Sequence, residues 1–132
     1  MAVVAILNSN LDVVEMLRLA LQAAGHQVVS AHVPDIKRGE TDLLGFVQRH
    51  DPRVIVYDVP IPYDQNWNFL RLMRDTASLR HREFVVTTTH KPNLESLVGP
   101  TDAIEIVGKP YDLAEVVEAV DRALARQGRR AP

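Results

Sequence analysis

The chain has 132 residues, 46% of them hydrophobic and 24% charged, which is the size and make-up of one compact domain. Fifteen Lys and Arg against 17 Asp and Glu give a net charge of -2, so no overall field draws it to nucleic acid phosphates or to anionic lipid. It holds no cysteine, which excludes disulfides, thiolate metal sites and cysteine nucleophiles and fits a cytoplasmic setting. No apolar run approaches the roughly 18 residues a membrane span needs, and the apolar run at residues 2–7 lacks a basic leader.

Residues 3–7 form a β-branched apolar run and predict the first strand. Residues 12–24 place Val14, Leu17 and Leu21 at helical spacing, with Asn10 or Asp12 as cap and Gly25 as the left-handed stop. Val28 and Val29 mark a second strand, and residues 42–50 a helix. Residues 54–57 predict a third strand, and residues 67–77 a helix that turns Leu70, Met73 and Ala77 inward. Residues 84–87 predict a fourth strand. Only a short helix fits residues 93–98, because Gly99 and Pro100 follow at once. Residues 103–107 predict the fifth strand, and a last helix opens at Asp112, carries Leu113, Val116, Val117, Val120 and Leu124 on one face, and frays from Gln127 to Arg130.

The first, third and fourth strands are apolar almost throughout, as strands covered on both faces must be. An alternating order of five strands and five helices with right-handed crossovers folds as a five-stranded parallel sheet sandwiched by helices, for which we expect the strand order 2-1-3-4-5. The functional crevice of such an α/β sheet lies beyond the carboxyl ends of the strands, beside strand 1. That rule selects Asn8, Ser9 and Asn10, then Asp58, then Thr88 and Thr89, then Lys109.

Asp58, Thr88 and Lys109 would bring a carboxylate, a hydroxyl and an ammonium to one spot. A carboxylate can attack phosphorus, and the other two can bind phosphoryl oxygens. Each alone has a duller account, since a Lys–Asp pair at a sheet rim is often a simple salt bridge.

These residues carry a resemblance. Residues 54–62, with Asp58 and a trailing Pro62, resemble the phosphoacceptor strand and loop of the response-regulator receiver domains of two-component signalling, the CheY-like domains of flavodoxin-like (βα)5 fold. Residues 69–74, 75–80, 84–88 and the turn Lys109, Pro110, Tyr111 are similar to further parts of that family, as are residues 11–29. The likeness spans nearly the whole chain, with a few extra residues in 31–42. It implies a receiver-like domain over residues 1–127 and a tail over 128–132. It also implies Asp58 as phosphoacceptor, Thr88 and Lys109 as phosphoryl-binding groups, and a cis peptide between Lys109 and Pro110. Its partners would be a histidine kinase or a downstream signalling protein, with homodimerisation left open. The module would switch and bind rather than catalyse metabolism.

Several positions depart from the family. Two carboxylates after strand 1 ordinarily hold its divalent cation, and here Asn8 and Ser9 occupy the matching positions. We therefore expect no metal ligand set and only a weak place for Mg²⁺, with Asp12, the nearest spare acid, as a helix cap. Ile106 stands at the aromatic switch position and cannot repeat its exchange; Tyr57 and Tyr111 are nearby aromatics assigned to packing. Tyr63 and Asn66 replace loop glycines, which points to a rebuilt loop. The partner surface would be the last helix, where Glu115, Glu118, Asp121 and Arg122 form a polar face, and the strand before it.

The resulting expectation is an atypical, pseudo-receiver domain acting through protein partners. One alternative is an ordinary Mg²⁺-dependent receiver with an unusual metal shell. Another is a flavodoxin-like small-molecule binder that uses Ser9, Thr87, Thr88 and Thr89. His26, His32, His50, His81 and His90 show no metal-binding spacing, and no glycine-rich phosphate loop is present.

Overall fold

A computed structural model of the chain describes residues 2–60, 62–76, 79–98, 104–109 and 112–130, with residues 128–130 described by backbone alone. Five parallel strands lie in the order β2-β1-β3-β4-β5: β1 Val3–Asn8, β2 Gln27–His32, β3 Val54–Val59, β4 Glu83–Thr88 and β5 Ile104–Gly108. The expected sheet and strand order are what the structure has. Among the described residues the helices are α1 Leu11–Ala23, α2 Val33–Lys37, α3 Leu43–His50, α4 Tyr63–Arg74, α5 Lys91–Val98 and α6 Leu113–Arg130.

Strand alternation divides the core in two. Ala5, Leu7, Ile55, Tyr57, Phe84 and Val86 face one way and pack with Phe46, Trp67, Leu70 and Leu94 of the helices on that side. Val4, Ile6, Val54, Val56, Val85 and Val107 face the other way, against Val14, Leu17 and Leu21 of α1 and Val116, Ala119, Val120 and Ala123 of α6. The inward residues of both outer helices recur at three- and four-residue intervals, the spacing of a single helical face.

The ends of the helices have local causes. Asn10 caps α1 by accepting hydrogen bonds from the Asp12 and Val13 amides at 3.0 and 3.2 Å. Asp12 therefore sits in the first turn, where its charge complements the helix dipole, and is not the cap. Beyond α1, Gly25 takes a φ of 93°, the positive value a side chain would resist. At α6 the Glu115 carboxylate accepts from the Asp112 amide at 3.3 Å, half of a capping box.

Sequence periodicity missed four things. A one-and-a-half-turn helix, α2, fills the extra segment after β2, started by Pro34 at a position where its missing N–H costs nothing. β2 runs on to His32, well past Val29. α4 begins at Tyr63, so Tyr63 and Asn66 lie inside a helix and neither has positive φ. Instead of fraying at Gln127, α6 continues to Arg130. Ala77, Gly99, Pro100, Ala103, Pro110 and Tyr111 lie outside the described residues, and with them the expected cis peptide. No helix among the described residues is long and apolar enough to cross a membrane.

Candidate functional site

The carboxyl ends of β1, β3, β4 and β5 bring Asn8, Asp58, Thr87 and Lys109 together. Each follows the alternation of the α1–α6 face: Ile6 precedes Asn8 by two residues, Val56 precedes Asp58, Val85 precedes Thr87 and Val107 precedes Lys109. The Lys109 ammonium lies 2.5 Å from Asp58 Oδ1. Thr87 donates its hydroxyl to the same oxygen at 2.7 Å. Both partners thus engage Oδ1. The Asp58 side chain is 11% exposed and that of Lys109 28%, so the pair is shielded from water without being sealed off. Water-poor surroundings of this kind strengthen a charge-assisted contact relative to a surface pair.

The hydroxyl beside Asp58 is therefore that of Thr87 and not Thr88. Register explains this placement: Asp58 pairs with Thr87 across the ladder, while Thr88 pairs with Val59. Thr88 follows Phe84 and Val86 onto the opposite face, is fully buried, and meets the His90 amide with its hydroxyl at 3.4 Å. Its carbonyl accepts from the Lys109 amide at 2.7 Å, so its backbone fixes where Lys109 starts. Ile106 is half-buried on that same opposite face, against the core that includes Phe84 and Val86.

After β1 the chain offers neutral groups. Asn8 is 4% exposed, and its side-chain oxygen accepts from the Asn10 amide at 2.9 Å, shaping the turn into α1. Ser9 is exposed, and the His32 ring donates through Nε2 to its carbonyl at 3.2 Å. A divalent cation of the Mg²⁺ type is normally held through carboxylates. With the Asn8 oxygen already committed to the backbone, the residues present do not fit such an ion. No group of three or more His, Asp or Glu side chains among the described residues could hold one.

A cleft of about 280 Å³ opens beside Asp58, lined by Ser9, Tyr57, Pro60 and Asn66 together with Val33, Pro34, Lys37 and Arg38 of the α2 region. The Tyr57 phenol is pushed up well beyond its ordinary range, first by burial and then by the neighbouring Asp58 charge, so it stays neutral. Asn66 is a clamp: its amide nitrogen donates to the carbonyls of Pro60 and Pro62 at 3.1 and 3.0 Å, and its oxygen accepts from the Lys37 ammonium at 3.1 Å. Across the mouth, the hydroxyls of Tyr63 and Thr89 meet at 2.5 Å and join the start of α4 to the segment after β4. Lys37 and Arg38 escaped the sequence search because they lie in and just after α2, beyond the expected end of the second strand at Val29.

On the α6 surface, Glu115, Glu118, Asp121 and Arg122 are exposed as expected. Three of the four have partners among the described residues: Arg122 reaches Glu105 at 3.0 Å, Asp121 lies 3.0 Å from the His26 ring, and Glu115 accepts from the Asp112 amide at 3.3 Å.

Solved structures with this arrangement of strands and helices carry one fold. A receiver domain protein from Clostridium thermocellum superposes with a TM-score of 0.75 at 16% identity, covering 99% of this chain and 100% of its own. The receiver domain of a histidine kinase from Syntrophus aciditrophicus gives 0.74 at 19% identity, over 100% and 96%. The chain has the CheY-like receiver fold. The chemotaxis protein CheY4 of Vibrio cholerae shares that receiver fold with a TM-score of 0.69 at 23% identity, over 93% of this chain and 98% of its own. Among curated proteins, response regulator Rre1 of Synechocystis is similar to the chain, at 26% identity over 94 residues. That match takes in 70% of this chain and 41% of the regulator, so it spans about two fifths of the relative's length. No protein-family profile matches the chain. Within a receiver fold, Asp58, Thr87 and Lys109 stand at strand ends that open into one crevice.

Proposed function

We propose that this chain is a signalling receiver domain of two-component type that works chiefly by binding a protein partner, with Asp58 as a candidate phosphoacceptor that transfers poorly. The observation that carries the proposal is the convergence of Asp58, Thr87 and Lys109 on one oxygen beside the neutral pair Asn8 and Ser9. In transfer, an Asp58 oxygen would form a bond to phosphorus as the donor's leaving group departs with its electron pair, giving an acyl phosphate. Lys109 and Thr87 would then turn from the carboxylate to the phosphoryl oxygens, a cation and a hydroxyl donor being what that group requires. Before transfer, those same contacts hold Asp58 in a closed salt bridge, and nothing carboxylic at Asn8 or Ser9 competes for Lys109. A module of this kind acts in the cytoplasm on a histidine kinase or a downstream signalling protein, and it is not a metabolic enzyme.

Intact-mass measurement after incubation with acetyl phosphate and millimolar Mg²⁺ tests this, with Asp58→Asn as control. The expected result is slow or absent addition of one phosphoryl group. Rapid stoichiometric labelling that disappears in Asp58→Asn would overturn the pseudo-receiver proposal in favour of an ordinary Mg²⁺-dependent receiver.

A further inference from the structure

The cations around the cleft differ in what neutralises them. Lys109 is paired with Asp58. Arg38 is held by Asp35 at 2.6 Å and by Glu40 at 3.2 Å. Lys37 is different: its contacts among the described residues are the neutral Asn66 amide oxygen at 3.1 Å and the face of Phe69, whose centroid is 5.1 Å away. Neither removes its charge. Asn66 is itself 9% exposed and fixed by two proline carbonyls, so the ammonium is anchored at the cleft by a buried, fully engaged amide. An anchored side chain loses less freedom when it engages a ligand than a free one does.

Lys109 is in contact with Asp58 and Arg38 with two carboxylates, whereas Lys37 has no carboxylate partner among the described residues. The place that lacks acidic groups to attract a metal ion therefore holds one anchored ammonium that no carboxylate contacts. Its volume, about 280 Å³, lies at the small end of ligand sites and suits a compact ligand. We propose that the cleft binds a phosphate dianion, free or as the terminal group of a small ester, without any divalent cation, and that Lys37 supplies the counter-charge. This rests on the reading of the Asp58 crevice as a receiver-type site with its metal shell lost, and it goes further by naming what stands in for the metal.

The test is a titration of the full chain with inorganic phosphate in EDTA at constant ionic strength, followed by amide NMR, with chloride as the control anion. The expected result is saturable movement of the Ser9, Lys37 and Asp58 amides. Lys37→Met, which keeps the stem and drops the charge, should weaken binding about tenfold, the usual scale for one charge-assisted contact, and Lys37→Arg should restore most of it. Should Lys37→Met fail to keep the native amide dispersion, Asp58→Asn decides: removing the carboxylate should tighten phosphate binding at least threefold if the cleft binds anions. Glycerol 3-phosphate run in parallel separates the sources, the tighter of the two ligands naming the physiological class. The proposal is overturned if phosphate does not saturate in EDTA, if Mg²⁺ is needed, or if Lys37→Met binds as tightly as the unmodified chain. Because no donor and no metal is present, rapid phosphoryl labelling in the separate mass experiment would leave this outcome intact.

Discussion

The Thr87 hydroxyl lies 2.7 Å from Oδ1 of Asp58 on the neighbouring strand, and that contact orients the carboxylate before any ligand arrives. Thr87→Val keeps the shape and removes the donor, and it should lower stability by about 1 kcal/mol, a hydrogen bond to a charged group being shared here with Lys109. Thr88→Val, one residue on, loses only a 3.4 Å contact with the His90 amide and should cost within about 0.5 kcal/mol. Urea denaturation of the two variants checks the difference. A larger loss for Thr88→Val would contradict the register that places Thr87 opposite Asp58.

Asn66 holds three partners with one side chain, two proline carbonyls and the Lys37 ammonium. Asn66→Ala leaves the Pro60 and Pro62 carbonyls without their donor and should cost about 2 kcal/mol, near the upper part of the usual range for point changes. Asn66→Asp is expected to be no milder, since it keeps an acceptor for Lys37 but turns an oxygen toward two carbonyl oxygens. Thermal unfolding of both variants at neutral pH measures this.

Restoring acid at the crevice should couple metal to folding. Asn8→Asp with Ser9→Asp would place two further carboxylates near Asp58, and in EDTA their repulsion should lower the urea midpoint. Added Mg²⁺ should then raise it, because a ligand that binds only the folded state stabilises by RT ln(1 + [L]/Kd). The unmodified chain should show no comparable shift. A midpoint insensitive to Mg²⁺ in the double variant would mean that the crevice cannot form the site even with the acids in place.

On the α6 face of the sheet, Glu105 accepts from Arg126 at 2.6 Å and Arg122 at 3.0 Å. Burial alone would raise its carboxyl, but the hydrogen bonds and charges of the two arginines outweigh burial and leave it below the ordinary value of 4.5. The folded state thus holds this proton more weakly than the unfolded state. The resulting stability is present in full above the unfolded value and is lost as pH falls from about 4.5 through the folded value. Glu105→Gln should be less stable than the parent at pH 7 and should flatten the acid limb of stability against pH. Urea midpoints from neutral pH down to about 3.5 test both, and an unchanged acid limb would reject the assignment.

Much of this molecule was legible because its signals are local. Continuous β-branched runs such as residues 54–57 announced buried parallel strands, and the apolar spacing of Val14, Leu17 and Leu21 announced α1. The strand-end rule then selected Asp58 and Lys109, which do meet. It selected Thr88 and passed over Thr87, since the choice between them depends on how β4 slides against β3, and a one-residue shift exchanges the two faces. Val85 and Val86 are equally apolar, so the sequence carries no preference between them. α2 was hidden for another reason. Five residues with a single buried side chain, Val33, make no periodic pattern, and the helix draws its definition from packing against β2. Lys37 could not be placed in the site until that packing was known.

One face of the sheet is closed by α1 and α6, elements drawn from opposite ends of the order in which the chain is made. Val4, Ile6, Val54, Val56 and Val85 have only α1 to cover that face until Val116, Ala119, Val120 and Ala123 arrive. His26 beside Asp121 and Arg53 beside Gln127 then tie the closing helix to segments made much earlier. A nascent chain on the ribosome must therefore carry this half-built hydrophobic surface until α6 emerges, and chaperones have a long interval in which to find it. A stall just before α6 would leave a β-rich intermediate with one oily side, so slow codons in that stretch would raise aggregation without altering a single residue.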